Sequence, residues 1–212
     1  MKPLDQCRLY TFIDTAYLRG RDPVDVARQL CLGGADLVQL RAKDLSVAQV
    51  REVAARILPI LREAGVGMVV NDYYGIAREV GADLCHLGQE DFSGTDGAGG
   101  LPGEIHSSDP AFGLSTHSPE QARRAMASRP AYIAVGPVYA TGTKPGVQPV
   151  TVEYVRWASS HVTIPWFAIG GINLENLDDV LAAGARRICV VSAILNAPDV
   201  AEACRQFKKR LA

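Results

Sequence analysis

The 212-residue chain carries a formal charge of −1, with 48% hydrophobic and 21% charged residues, the make-up of an ordinary globular protein with apolar material for a sizeable core. That balance argues against a nucleic-acid partner or an acidic membrane surface. Five cysteines without a CxxC pair argue against a disulfide framework or structural zinc site, and no apolar run approaches the ~20 residues of a membrane span. The start, MKPLDQCRLY, lacks the apolar stretch of a signal peptide, so the expected compartment is the cytoplasm.

In chain order, the first strand-like run is 9–13. Asp22 followed by Pro23 reads as an N-cap with proline at the first helical position. Gly34-Ala35-Asp36 then leads into a strand at 37–40. Ser46 with Gln49 reads as a capping box. Beyond it, Val47, Val50, Ala54, Ile57, Leu58 and Leu61 mark one helical face, with Pro59 expected to kink or shorten the helix. Strands follow at 67–70 and 83–87, the second introduced by Gly81-Ala82-Asp83. The stretch 93–104 is glycine-rich and reads as a surface insertion. A strand at 112–114 precedes Ser118, Pro119 and Gln121, another helix start, and a strand at 132–135 comes next. The segment 137–150 carries Thr141, Thr143 and Lys144 among glycines and is expected to be a functional loop. Strand 166–169 ends on Gly170-Gly171, where Asn173 is expected to cap the next helix. Gly184-Ala185-Arg186 introduces the last strand, 188–191. Most of these runs are continuously apolar, as in parallel strands covered on both faces. The glycine of each Gly-Ala repeat reads as a helix end turning into a strand. Eight β/α units in 212 residues predict an α/β protein, a single (β/α)8 TIM barrel over 1–212, rather than a doubly wound sheet. No GxGxxG follows the first strand.

In such a barrel the chemistry lies where strands end. Gln39, Arg41 and Lys43 alternate after strand two and point one way on an extended chain. Two cations and an amide on one side suit a polyanion such as a diphosphate, although a solvated strand end with surface ion pairs would carry the same residues. Asn71 and Asp72 follow strand three, and Glu90 and Asp91 follow strand four. A carboxylate from each of these adjacent ends is what a magnesium ion bridging protein and diphosphate needs; a helix cap is the plainer use of such a residue. Ser115, Thr116 and His117 close strand five. Gly170-Gly171 and Val191-Ser192, after strands seven and eight, lie where backbone N–H groups commonly hold a phosphate, or they form plain turns. His86, inside a strand, reads as a core histidine. No Ser/His/Asp set and no HExxH motif is present.

Together these segments resemble the thiamine-phosphate synthase family: QLRAK (39–43), ND (71–72), HLGQED (86–91), LSTHS (114–118), GPVYATGTK (136–144), AIGGI (168–172) and VVSAI (190–194). The resemblance implies a transferase that joins hydroxymethylpyrimidine diphosphate to a thiazole phosphate, with Mg²⁺. Carried over by position, Gln39, Arg41, Lys43, Asn71, Ser115 and Lys144 would hold the pyrimidine diphosphate, with Arg41, Ser115 and Lys144 in catalytic roles. Asp72 and Asp91 would bind the metal; Asp91 is chosen over Glu90 by the resemblance. Thr141, Thr143, Gly171, Val191 and Ser192 would hold the thiazole phosphate. The implied mechanism is dissociative and relies on positioned charge more than on a general base. Tyr73-Tyr74-Gly75 and Gly142 depart from the usual pattern. A thiazole tautomerase of the same family is the competing reading; it would not need a diphosphate-bound metal. A sugar-phosphate isomerase would want an acid–base pair across the barrel mouth, and a non-catalytic binding module would tolerate loss of the carboxylates or Lys144. The expected partners are small molecules, and the sequence leaves homo-oligomerisation open.

Overall fold

The computed structural model describes residues 1–88, 106–142 and 148–211. Its strands are β1 (Leu9–Asp14), β2 (Leu37–Arg41), β3 (Gly67–Asn71), β4 (Leu84–Leu87), β5 (Ala111–Thr116), β6 (Tyr132–Val135), β7 (Trp166–Ile169) and β8 (Ile188–Cys189). All pair in parallel with their sequence neighbours, and β8 returns to β1 through Leu9↔Ile188 and Tyr10↔Cys189, so the barrel is closed. Every expected strand is present. Four run further towards their C-terminal ends than the apolar pattern suggests, because the polar residues Asp14, Arg41, Asn71 and Thr116 complete the ladder. The last strand is shorter than the expected 188–191, since Val191 leaves the extended conformation to open a helix.

Nine helices surround the barrel among the described residues: α1 (Thr15–Leu18), α2 (Pro23–Leu32), α3 (Val47–Glu63), α4 (Tyr74–Val80), α5 (Pro119–Ala127), α6 (Thr151–His161), α7 (Leu177–Ala182), α8 (Ser192–Leu195) and α9 (Val200–Arg210). The caps act as the sequence suggests at α2, where Asp22 accepts from Val24, and at α3, where Ser46 and Gln49 form the full box. At α5, Ser118 caps Gln121, but the Gln121 amide oxygen reaches back to the N–H of His117, one residue earlier than in a capping box. Two expectations are corrected. Pro59 does not shorten α3, which continues to Glu63. Asn173 does not cap α7; its side chain closes a turn on Glu175 and Asn176, and α7 begins only at Leu177. Among the described residues no helix is long and apolar enough to cross a membrane.

The Gly-Ala repeats close the bottom of the barrel. Gly34, Gly81 and Gly184 each adopt a left-handed φ, of 83°, 76° and 98°, which ends the preceding helix. The aspartates that follow two of them satisfy strand-start N–H groups that would otherwise be orphaned. Asp83 accepts from Met68 at 2.8 Å, and Asp36 accepts from Arg8 at 2.8 Å and Leu9 at 3.0 Å. Asp36, 1% exposed, also binds Lys2 near the N-terminus and Lys208 on α9. Burial by itself would raise its carboxyl, yet the hydrogen bonds from both lysines and from Leu9 and Arg8 hold it below the usual carboxylate range.

Candidate active site

At the opposite face, the strand ends surround one cavity. Gln39 and Arg41 from β2, Asn71 from β3, His86 from β4 and Ser115 from β5 line one side. Thr141, Gly171, Val191 and Ser192, from the connections after β6, β7 and β8, line the other. The alternation of Gln39 and Arg41 does turn both inward. Lys43 is not part of the lining; it pairs with Asp72 at 3.4 Å, just past the ends of β2 and β3. Asp91, Thr143 and Lys144 lie outside the described residues.

Several polar groups of the lining are held by buried partners. Arg41 Nη1 donates to Asp14 Oδ2 at 2.9 Å, and the Asp14 side chain is 1% exposed. The other Asp14 oxygen accepts from Ala16 at 3.1 Å and caps α1. One buried carboxylate thus ends β1, starts a helix and aims the guanidinium. Gln39 Nε2 donates to the Tyr10 hydroxyl at 2.5 Å. The Tyr10 and Tyr132 hydroxyls are 2.9 Å apart, Tyr132 meets His86 Nδ1 at 2.9 Å, and His86 Nε2 meets Ser115 Oγ at 2.9 Å. His86 is therefore a satisfied histidine, as the sequence suggests, yet it also lines the cavity. Burial pushes both tyrosine hydroxyls well above their ordinary range, so they stay protonated. The Cys189 thiol, also in the lining, is pushed up in the same way and is no nucleophile.

His117 is held by the carbonyl of Gly136 at 2.5 Å. A carbonyl only accepts, so Nδ1 carries the proton. The Gly170-Gly171 pair is more than a turn. Their φ values are 104° and 64°, and a Cβ would lie 2.4 Å from Pro137 at Gly170 and 2.6 Å from the Ala140 oxygen at Gly171. Glycine here lets the β6 and β7 connections touch.

Asp72 has φ 66°, a left-handed conformation uncommon outside glycine. Its carboxylate, beside Lys43, is a hard oxygen donor of the kind magnesium takes, and magnesium commonly needs only one or two carboxylates with phosphates and waters completing its shell. The donor chemistry fits that ion. Among the described residues no three His, Cys, Asp or Glu side chains are grouped to hold a metal.

Asp14, Tyr10 and Tyr132 were not legible as site residues. Asp14 follows the same rule as Arg41, a polar residue closing an apolar strand, and that signal applies equally to the first strand. The two tyrosines lie inside apolar runs and carry no such signal.

Comparison with known proteins gives concordant results. A family model described as thiamine monophosphate synthase matches residues 9–194. The thiamine-phosphate synthase of Thermus thermophilus is 44% identical over 189 residues, covering 89% of this chain and 88% of that protein. That of Acidothermus cellulolyticus is 43% identical over 216 residues, covering 99% and 97%. The solved thiamine phosphate pyrophosphorylase from Pyrococcus furiosus superposes with a TM-score of 0.82 at 26% identity, covering 99% of this chain and 98% of that one. On the extent of the family match and the identity to these relatives, the chain belongs to the thiamine monophosphate synthase family.

Proposed function

We propose that the protein joins hydroxymethylpyrimidine diphosphate to a thiazole phosphate, releasing diphosphate and forming thiamine phosphate. What supports this reading is one cavity whose polar lining comes from strand ends around the barrel, which we read as two half-sites. Gln39, Arg41, Asn71 and Ser115 face it from β2 to β5, and Thr141, Gly171, Val191 and Ser192 face it from the β6 to β8 connections. A reaction that couples two phosphorylated molecules needs two such half-sites meeting at one point.

On this reading, Arg41 and Lys43 bind the diphosphate and neutralise charge as it builds on the leaving oxygen. The C–O bond breaks with its electron pair going to diphosphate, and the thiazole nitrogen attacks the resulting pyrimidine-methyl cation with its lone pair. Asp72 and Asp91 would hold Mg²⁺, which supplies further positive charge to the diphosphate. Lys144, with Asn71 and Ser115, would keep the diphosphate half in place, and Thr143 would join Thr141 on the thiazole phosphate. No residue has to remove a proton for the new bond to form, which suits a lining whose Cys189 thiol stays neutral. Apolar side chains such as Phe12, Ile169 and Val190 complete the walls and limit the water that would capture the cation. Five unpaired cysteines suit a reducing compartment, so we place the reaction in the cytoplasm.

The test is a coupling assay with both substrates, with and without Mg²⁺, read by fluorescence of the oxidised thiamine product. Mg²⁺-dependent product that is lost in a folded Asp72→Ala variant supports the reading. Absence of product from folded protein overturns it, and product insensitive to Asp72→Ala overturns the metal assignment.

A further inference from the structure

The floor of the cavity holds a hydrogen-bonded chain in which three residues without a role in the family resemblance, Tyr10, Tyr132 and His86, join Gln39 to Ser115. It runs Gln39–Tyr10–Tyr132–His86–Ser115, with contacts of 2.5, 2.9, 2.9 and 2.9 Å. Both ends line the cavity, whereas the two tyrosines lie beneath it. All five residues are buried, Tyr10 at 1% and Tyr132 at 0% exposure. The middle of a barrel is ordinarily filled by branched apolar side chains, and a polar chain in that place must be fully satisfied to be tolerated. The packing provides for it: a Cβ on Gly113 would lie 2.2 Å from the Tyr132 ring, so that glycine makes room for the phenol.

With Gln39 Nε2 turned towards Tyr10, proton counting gives the chain one direction. The Gln39 Nε2 amide can only donate, so the Tyr10 oxygen accepts. A buried phenol has one proton, and Tyr10 satisfies it on Tyr132. Tyr132 in turn satisfies its own on His86 Nδ1. His86 then carries its proton on Nε2 and donates to Ser115 Oγ. The Ser115 proton is thereby directed to an acceptor other than His86. Reversing the Gln39 amide would reverse every bond in the chain, so the two polarities are mutually exclusive.

We propose that Tyr10, Tyr132 and His86 are positioning residues that polarise this chain and fix Ser115 as a hydrogen-bond donor towards the substrate. The proposal rests on the reaction proposed above, but its first test does not. The ¹⁵N shifts of the His86 ring, assigned with a His86→Asn variant, report which nitrogen is protonated in the protein without substrate. Protonation on Nε2 alone is expected; a proton on Nδ1, or on both nitrogens, overturns the proposed polarity. The second test is a double-mutant cycle in the coupling assay. Tyr132→Phe keeps the ring and removes one hydroxyl, and it should lower kcat/KM for the pyrimidine diphosphate by about tenfold, the size of one buried hydrogen bond. In a Ser115→Ala background the same change should cost less than about twofold, because its effect passes through Ser115. Equal losses in both backgrounds would mark Tyr132 as a packing residue and overturn the positioning role. If the wild-type protein makes no product, the reaction reading fails while the ring shifts still decide the direction of the chain.

Discussion

Replacing Asp14 by asparagine isolates what the buried carboxylate does for Arg41. The pair is close and largely dry, with Nη1 to Oδ2 at 2.9 Å and side chains 13% and 1% exposed. Asparagine retains an oxygen for Ala16 and so keeps the α1 cap, but it offers Arg41 no charge. A hydrogen bond to a charged group contributes about 1.5–3 kcal/mol. Taking about 2 kcal/mol for one misdirected guanidinium contact, kcat/KM should fall about thirtyfold at 1.36 kcal/mol per decade. Steady-state assays that vary each substrate in turn should place most of that loss in KM for the pyrimidine diphosphate, with KM for the thiazole phosphate changed less than about twofold. The unfolding midpoint should fall by about 4–8 °C for the same 2 kcal/mol. Asp14→Ala removes the cap as well and should cost about a further 1 kcal/mol of stability. The opposing expectation is plain electrostatics: deleting a negative charge beside a diphosphate site should tighten binding. A lowered or unchanged KM in Asp14→Asn would therefore refute the orienting role.

Asp36→Asn should destabilise the barrel by about 2–3 kcal/mol at pH 7, measured by urea unfolding, because it weakens a buried set of charge-assisted hydrogen bonds. The carboxyl of Asp36 lies below its ordinary value in the folded protein, so its contribution is fully present above the unfolded value of about 3.9 and is lost as pH falls through the folded value. The gap between wild type and variant should narrow at pH 3; a constant gap would contradict the ionic account. Gly171→Ala places a side chain at φ 64° and 2.6 Å from the Ala140 oxygen. It should cost at least about 1 kcal/mol of stability and raise KM for the thiazole phosphate more than for the diphosphate, while equal effects on both would argue against the division of the cavity.

The fold was legible because each barrel strand is buried on both faces and so reads as an apolar run, and because the Gly-Ala repeats mark where helices end. Strand ends were less legible, since the residues that complete the ladder at Asp14, Arg41, Asn71 and Thr116 are polar and break the apolar pattern that marks a strand. Within the site, the two-residue period carried Gln39 and Arg41 correctly but could not place Lys43, which lies beyond the strand where the period no longer holds. Asn173 misled because asparagine closes an isolated turn as readily as it caps a helix. The Tyr10–Tyr132 contact joins residues 122 positions apart, and no local pattern announces such a pairing.

The buried chain from Gln39 to Ser115 also constrains how this barrel can drift. Exchanging any one member for an apolar residue strands a neighbour's donor or acceptor, at about 1–3 kcal/mol, a sizeable share of a typical domain's stability. Replacing all of them by well-packed apolar side chains would be far less costly. The five positions, drawn from β1, β2, β4, β5 and β6, should therefore be exchanged as a block or held together, so that an ancestral change at one of them records changes at the others.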